Sequence, residues 1–269
     1  SDAMRKLGVT LYTEEQLTSF ELSEGKVTKV VTGRRSIPTD IVVLGMGSSP
    51  NTAFLEGSGI ELGIRGAVKV NRRQQTNVPD VYAAGDCAET FHLVSKKPVH
   101  IALGTIANKS GVLAGANLAG EAAEFPGVVG TAVCKICSYE VARTGLLEKE
   151  LNKKNIDYAK ATIESKTRAH YYPDAKSIVV KLIAEKSTGK LLGGQIIGEE
   201  GAAKRIDVIA TALTHGLTAQ DIVNLDLSYA PPFSPVWDPV QTAARKLISV
   251  IEGRDKNVFS IFGGKNSRS

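Results

Sequence analysis

No G-x-G-x-x-G occurs anywhere in this chain, no apolar run reaches the length of a membrane span, and only three cysteines are present. Without the glycine fingerprint, no stretch has the pattern that lays a dinucleotide pyrophosphate on a helix N-terminus. The nearest imitation, Gly45-Met-Gly47-Ser-Ser-Pro50, puts proline at the third glycine position, and no strand-ending acid follows at the ribose distance. Lack of a long apolar run argues against a membrane span, and the N-terminus has no signal-peptide pattern, so a cytoplasmic protein is expected. Ser1-Asp2-Ala3 reads as a cloning remnant, with the natural start expected at Met4.

Cys87, Cys134 and Cys137 are too few for a disulfide framework and suit a reducing compartment. Cys134-Lys-Ile-Cys137 has the spacing of a redox pair or half a zinc site, but Thr131 to Val141 reads as one strand, where residues i and i+3 face opposite ways. No second C-x-x-C or H-x-x-H completes a zinc tetrad, so structural cysteines and no metal are expected. The net charge of +5 is scattered, with no dense basic block, which argues against nucleic acid and suits an anionic ligand such as a nucleotide.

The informative stretch is Thr76-Asn-Val-Pro-Asp-Val-Tyr-Ala-Ala-Gly-Asp86. It reads as a turn over Asn77 to Asp80, a buried strand Val81 to Ala84 and a sharp exit at Gly85-Asp86. A glycine at a strand's carboxyl end lets a ligand approach, and an aspartate there accepts bonds from hydroxyls. The plainer use of Asp86 is to cap the next helix. The whole stretch resembles the second FAD-binding signature of the pyridine nucleotide-disulfide oxidoreductases, which implies that Asp86 holds the flavin ribityl chain.

Upstream, Leu7 to Tyr12 reads as a strand, Leu17 to Thr32 as two strands turning at Glu24-Gly25, and Thr39 to Gly45 as a buried strand. The segment from Ile41 to Asn51 resembles the close of the NAD domain in the same family. Gly66 to Val70 reads as a short strand, a loop passes through Lys96-Lys97-Pro98, and His100 to Gly120 as a helix with small residues Ala107, Gly111, Ala114 and Gly115. A tight helix–sheet contact explains those small residues as well as any cofactor does. The resemblance implies that this helix points its N-terminus, at Ala102, Leu103 and Gly104, toward the flavin ring.

Phe125-Pro-Gly127 marks a boundary, and a second domain is expected from Gly130. A strand 131–142, a helix Leu146 to Lys154, and strands Tyr158 to Lys166, Ser177 to Glu185 and Leu191 to Gly198 come first. Helices Ala202 to Leu217, one opened by the box Thr218-Ala-Gln-Asp221 and one opened by Asp238-Pro239 complete it. The fold class is thus α/β plus α+β: a partial FAD/NAD(P)-binding region 1–129 (end of an NAD domain 1–46, second FAD segment 47–129), then a domain 130–256 resembling the family's dimerisation domain. Residues 257–269 are expected to be a loosely ordered tail.

Arg168-Ala-His-Tyr-Tyr-Pro173 and Ser228-Tyr-Ala-Pro-Pro-Phe-Ser-Pro-Val-Trp-Asp-Pro239 resemble the coenzyme A-disulfide reductase and NADH oxidase branch, where Tyr229-Ala-Pro-Pro stands in place of a His-Pro base. The resemblance implies a homodimer in which Tyr171 and Tyr229 assist thiol chemistry at the partner's redox cysteine, with Phe233 near its flavin. Interface aromatics with satisfied hydroxyls would look the same. His170 reads as a surface or interface histidine, and His215 as a favourable cation at a helix end.

The family's first FAD fingerprint, redox cysteine and NAD fingerprint have no match here, and Cys87 is in the wrong place to replace that cysteine. The chain is therefore expected to be the C-terminal part of an FAD-dependent enzyme that uses NAD(P)H to reduce a small disulfide or oxygen, inactive alone and completed by an N-terminal half. A non-catalytic dimerisation module of the same descent and, on Asp86 alone, an adenine-nucleotide sensor stay open.

Overall fold

The computed structural model describes residues 2–254; the expected tail 257–269 lies outside them. By internal packing the chain divides into two compact units, one through Ser49 and one from Pro50 onward.

In the first unit a short helix α1 (Asp2–Lys6) precedes a three-stranded antiparallel sheet of β1 (Leu17–Ser23), β2 (Lys26–Thr32) and β3 (Ser36–Pro38), in that order. The β1–β2 turn falls at Glu24-Gly25, as expected, and both residues are left-handed, with φ of 49° and 77°. That geometry matches the twist of the two strands.

Two expected strands of this unit do not form. Over Leu7 to Tyr12, Leu7 N–H and Val9 N–H both donate to Met4 O, at 3.1 and 3.0 Å, so the segment closes the C-terminus of α1. Thr39 to Gly45 is irregular because β3, which sequence reading missed, takes the free edge of β2. Past the bond from Thr39 N–H to Thr28 O of β2 at 3.0 Å, no described strand pairs with the segment, and Ile41 and Val43 are left 78% and 89% exposed. An apolar run becomes a buried strand only where neighbours take its backbone groups.

The second unit opens with irregular backbone. Gly66 to Val70 and Val81 to Ala84, both read as strands, form single bridges only, Val68 with Leu62 and Ala88, and Tyr82 with Gln75. The supposed loop at Lys96-Lys97-Pro98 is a hairpin of β4 (Thr90–His92) and β5 (Lys97–Val99). Helix α2 (Gly104–Leu118) starts four residues later than His100 suggests. Of its small residues, Ala114 is buried, whereas Gly111 and Gly115 face open space.

A five-stranded antiparallel sheet follows, ordered β6 (Ala132–Ile136), β7 (Tyr139–Gly145), β10 (Leu191–Gly198), β9 (Ser177–Glu185) and β8 (Tyr158–Lys166). The bounds of β8, β9 and β10 are those expected, β9 from its alternation. The single strand expected over 131–142 is a hairpin, because Cys137 takes a left-handed φ of 57° and turns β6 onto β7. All three cysteines are free and exposed.

Helix α3 (Glu148–Lys153) lies between β7 and β8; α4 (Ala202–His215) packs on β7 and β10, and α6 (Pro239–Ile251) on β8 and β9. The short α5 (Ala219–Val223) opens with the expected box, Thr218 Oγ1 accepting from Asp221 N–H and Asp221 Oδ2 accepting from Thr218 N–H. Ile178, Val180 and Leu182 of β9 point at Ile206 and Ile209 of α4 and at Val240 and Leu247 of α6 in one buried core. Each large side chain buried there contributes about 2 kcal/mol.

His92, not singled out in the sequence, is buried beside this core. Its Nδ1 accepts from the N–H groups of Val94 and Ser95, both at 3.2 Å. Burial holds its pKa below 6.5, with Lys154 acting the same way and Glu150 and a bond to the Val129 backbone opposing. The unfolded chain therefore takes up this proton first, so the contribution is present above pH 6.5 and is lost as pH falls through and below it. His92→Gln should flatten the fall in urea midpoint between about pH 7.5 and 5.5 relative to the wild type; parallel curves would assign that acid sensitivity elsewhere.

Candidate functional site

The Gly85-Asp86 turn forms a single 3-10 turn, Gly85–Cys87, held against α2. Gly85 has φ of +78°, and a β-carbon there would stand 3.4 Å from that of Ala107 on α2. Its N–H donates to Ser110 Oγ at 3.1 Å, and Ser110 is buried. On the far side, His100 Nε2–H donates to Asp86 O at 2.8 Å. The turn is thus pinned through its backbone, and the Asp86 carboxylate is left exposed with no bonding partner among the described residues. Asp86 caps no helix, because Leu103 occupies the N-cap of α2.

Leu103 supplies no side-chain acceptor to the first turn of α2. The amides of Gly104 and Thr105 therefore point out of a helix end that carries partial positive charge. Ala102 and Leu103 are half-buried and Gly104 is exposed. The turn thus presents an unpartnered carboxylate, able to accept from hydroxyl groups, from a position held against a helix with an uncapped start. Cys87, whose Sγ–H donates to Ala84 O at 3.3 Å, faces solvent in the same turn.

Tyr171 and Tyr229, far apart in sequence, meet in one protomer. The neighbouring Tyr171 phenol, with lesser contributions from burial and the Tyr171 charge, raises Tyr229 above 10.0. Tyr171 is 77%, Tyr229 46% and Phe233 76% exposed, so all three rings face solvent. A protonated phenol can donate to a thiolate without bringing a charge. His170, next to Tyr171 in the chain, is exposed, and His215 ends α4 as expected.

Sequence reading missed the charged residues that bond to the stretches carrying these tyrosines. Glu200 Oε1 accepts from Thr167 Oγ1 at 2.8 Å and from Arg168 Nε and Nη2 at 3.1 and 2.5 Å. Burial pushes the Glu200 carboxyl up, but these bonds and the Arg168 charge outweigh it and hold it below 4.5. Arg205 Nε donates to Asp238 Oδ2 at 2.8 Å, and Asp238 Oδ1 caps α6 by accepting from Val240 N–H at 2.9 Å. Only the cap was legible, in Asp238-Pro239; no local pattern joins Arg205 to an acid so far along the chain. Among the described residues no group of three His, Cys, Asp or Glu could hold a metal ion, and no helix is long and apolar enough to cross a membrane.

Comparison with known proteins matches residues 1–111 to the model of the pyridine nucleotide-disulphide oxidoreductases and residues 131–239 to that of the dimerisation domain of the same enzymes. The chain is 41% identical over 239 residues to an NAD(P)H sulfur oxidoreductase (CoA-dependent) of Pyrococcus furiosus, covering 89% of this chain and 54% of that one. It is 32% identical over 208 residues to a coenzyme A disulfide reductase of Staphylococcus aureus, covering 77% and 47%. Among solved structures, an NAD-dependent persulfide reductase from A. fulgidus superimposes with a TM-score of 0.90 at 37% identity, over 94% of this chain and 47% of that one. The chain spans about half the length of the relatives it matches.

Proposed function

The chain belongs to the pyridine nucleotide-disulphide oxidoreductases, and from that premise we propose that it supplies the ribityl-holding part of an FAD site and the dimer interface of a homodimeric, NAD(P)H-dependent flavoprotein. The substrate is a sulfur–sulfur bond of a small molecule, with oxygen as the competing acceptor. Residues 1–46 serve as the end of an NAD domain, 47–129 as the second FAD segment and 130–256 as the dimerisation domain.

One observation carries this reading: the turn that leaves the Asp86 carboxylate without a partner is held by the Gly85–Ser110 bond against α2, a helix whose start is uncapped. Gly85 and Asp86 would hold the ribityl hydroxyls, and the amides at Ala102, Leu103 and Gly104 would face the flavin's electron-rich edge. Bound FAD supplies two-electron transfer between a nicotinamide and the acceptor. Tyr171 and Tyr229 act across the dimer interface, where the paired phenols keep a proton ready for a sulfur leaving group. Phe233 lies close to the partner's flavin in this arrangement.

The test is an absorption spectrum of the chain after mixing with excess FAD and removing the unbound part. It is repeated with the chain joined to a front half that bears both dinucleotide fingerprints and the redox cysteine. The joined protein should keep a flavin band that NADH bleaches under anaerobic conditions. A joined dimer that holds flavin but is never bleached would sink the redox reading, and a colourless dimer would favour a non-catalytic dimerisation module.

A further inference from the structure

We propose that Arg205 is a positioning residue that fixes the spacing of the two loops carrying Tyr171 and Tyr229, so that their phenols meet. Its purpose rests on the flavoprotein reading; its physical content does not.

Both tyrosines sit in irregular backbone. Tyr171 lies in the stretch between β8 and β9, and Tyr229 between α5 and α6. Neither stretch contains a ladder or helix that would set its distance from the other, and the exposure of Tyr171 leaves little packing to hold its ring. Two phenols influence each other only while their loops hold them close, because polar contacts weaken steeply with distance. Something outside the loops must fix their separation.

Arg205 does this from α4, a regular helix seated on the sheet. Its Nη2 donates to Thr167 O at 3.0 Å, just before the Tyr171 motif, and to Phe233 O at 3.2 Å, just after Tyr229. One nitrogen thus joins the two loops, and Nε is anchored on Asp238. Each acid serves one side only: Glu200 grips Thr167 and Arg168, whereas Asp238 grips Ser234 Oγ and caps α6. The direct backbone link between the loops, Ala169 N–H to Pro231 O at 3.1 Å, is a single bond about which the loops could still pivot. The rigid fork of a guanidinium holds the carboxylate from Nε and both carbonyls from Nη2 in one plane, whereas a lysine's three donors radiate from a single nitrogen on a flexible stem.

The test uses this chain with tyrosine labelled with ¹³C at Cζ, the resonance of Tyr229 being assigned by Tyr229→Phe. Tyr171→Phe gives the Tyr229 position with the phenol pair lost. Arg205→Met should move Tyr229 to that same position at neutral pH, and adding Arg205→Met to Tyr171→Phe should move it no further. Arg205→Lys should move it part of the way and serves as the readout if the methionine variant does not fold. A Tyr229 resonance that stays at its wild-type position in either folded variant, even with a lower unfolding midpoint, would overturn the proposal and leave Arg205 a stability residue. Because no flavin is needed, the outcome is separable from the function: an expected shift in a chain that never takes up FAD with its front half would sink the flavoprotein reading and keep the positioning role.

Discussion

Asp238→Ala is expected to lower the unfolding free energy by about 4 kcal/mol, the largest loss from a single side chain outside the apolar core. Asp238 and Arg205 are 11% and 12% exposed at their side chains, so the pair sits largely out of water. Removing the acid leaves a nearly buried guanidinium with two carbonyls and no counter-charge, a change that costs about 3–5 kcal/mol. It also removes the cap of α6, about 1 kcal/mol, and the acceptor of Ser234 Oγ. These losses share one residue and do not simply add. Asp238→Asn keeps an oxygen for the cap and should lose only about half as much. Urea unfolding at neutral pH measures both, and a loss under about 1 kcal/mol for the alanine variant would mean that water reaches Arg205 freely.

Asp86→Ala should do the opposite: leave stability within about 0.5 kcal/mol and remove flavin affinity. The carboxylate is exposed and bonds to no described residue, so the folded chain has little to lose. Two hydrogen bonds from ribityl hydroxyls to a charged acceptor are worth about 3 kcal/mol, or about a hundred-fold in the dissociation constant. Fluorescence titration of FAD against the chain joined to a front half that bears both dinucleotide fingerprints gives the value. Equal affinity in wild type and variant would take the ribityl role away from Asp86, whatever the family.

Legibility in the sequence followed how local each element's cause is. The strand β9 could be bounded because its alternation is imposed by one sheet face lying on α4 and α6. The Thr218 box and the Asp238-Pro239 start are settled by a few adjacent residues. Val81 to Ala84 and Thr39 to Gly45 have the composition of buried strands, but a strand is a pairing, and composition carries no record of whether a neighbour is present. The hairpin at Cys137 was missed because a left-handed cysteine has none of the glycine or asparagine that marks such a turn. The site divided in the same way. Gly85-Asp86 stood out as a motif, and the tyrosines came from family resemblance. The meeting of Tyr171 with Tyr229 and the Arg205–Asp238 pair depend on distant segments that only the folded chain brings together.

The exposed run from Ile41 to Met46 has a practical consequence. It offers β-branched and leucine side chains with no charge and no proline, the composition from which intermolecular β-stacks grow. Concentrated samples should therefore turn cloudy by self-association through this segment while the five-stranded domain is still folded. A lysine at Val43, which lies 89% exposed, is the gatekeeper that should keep them clear.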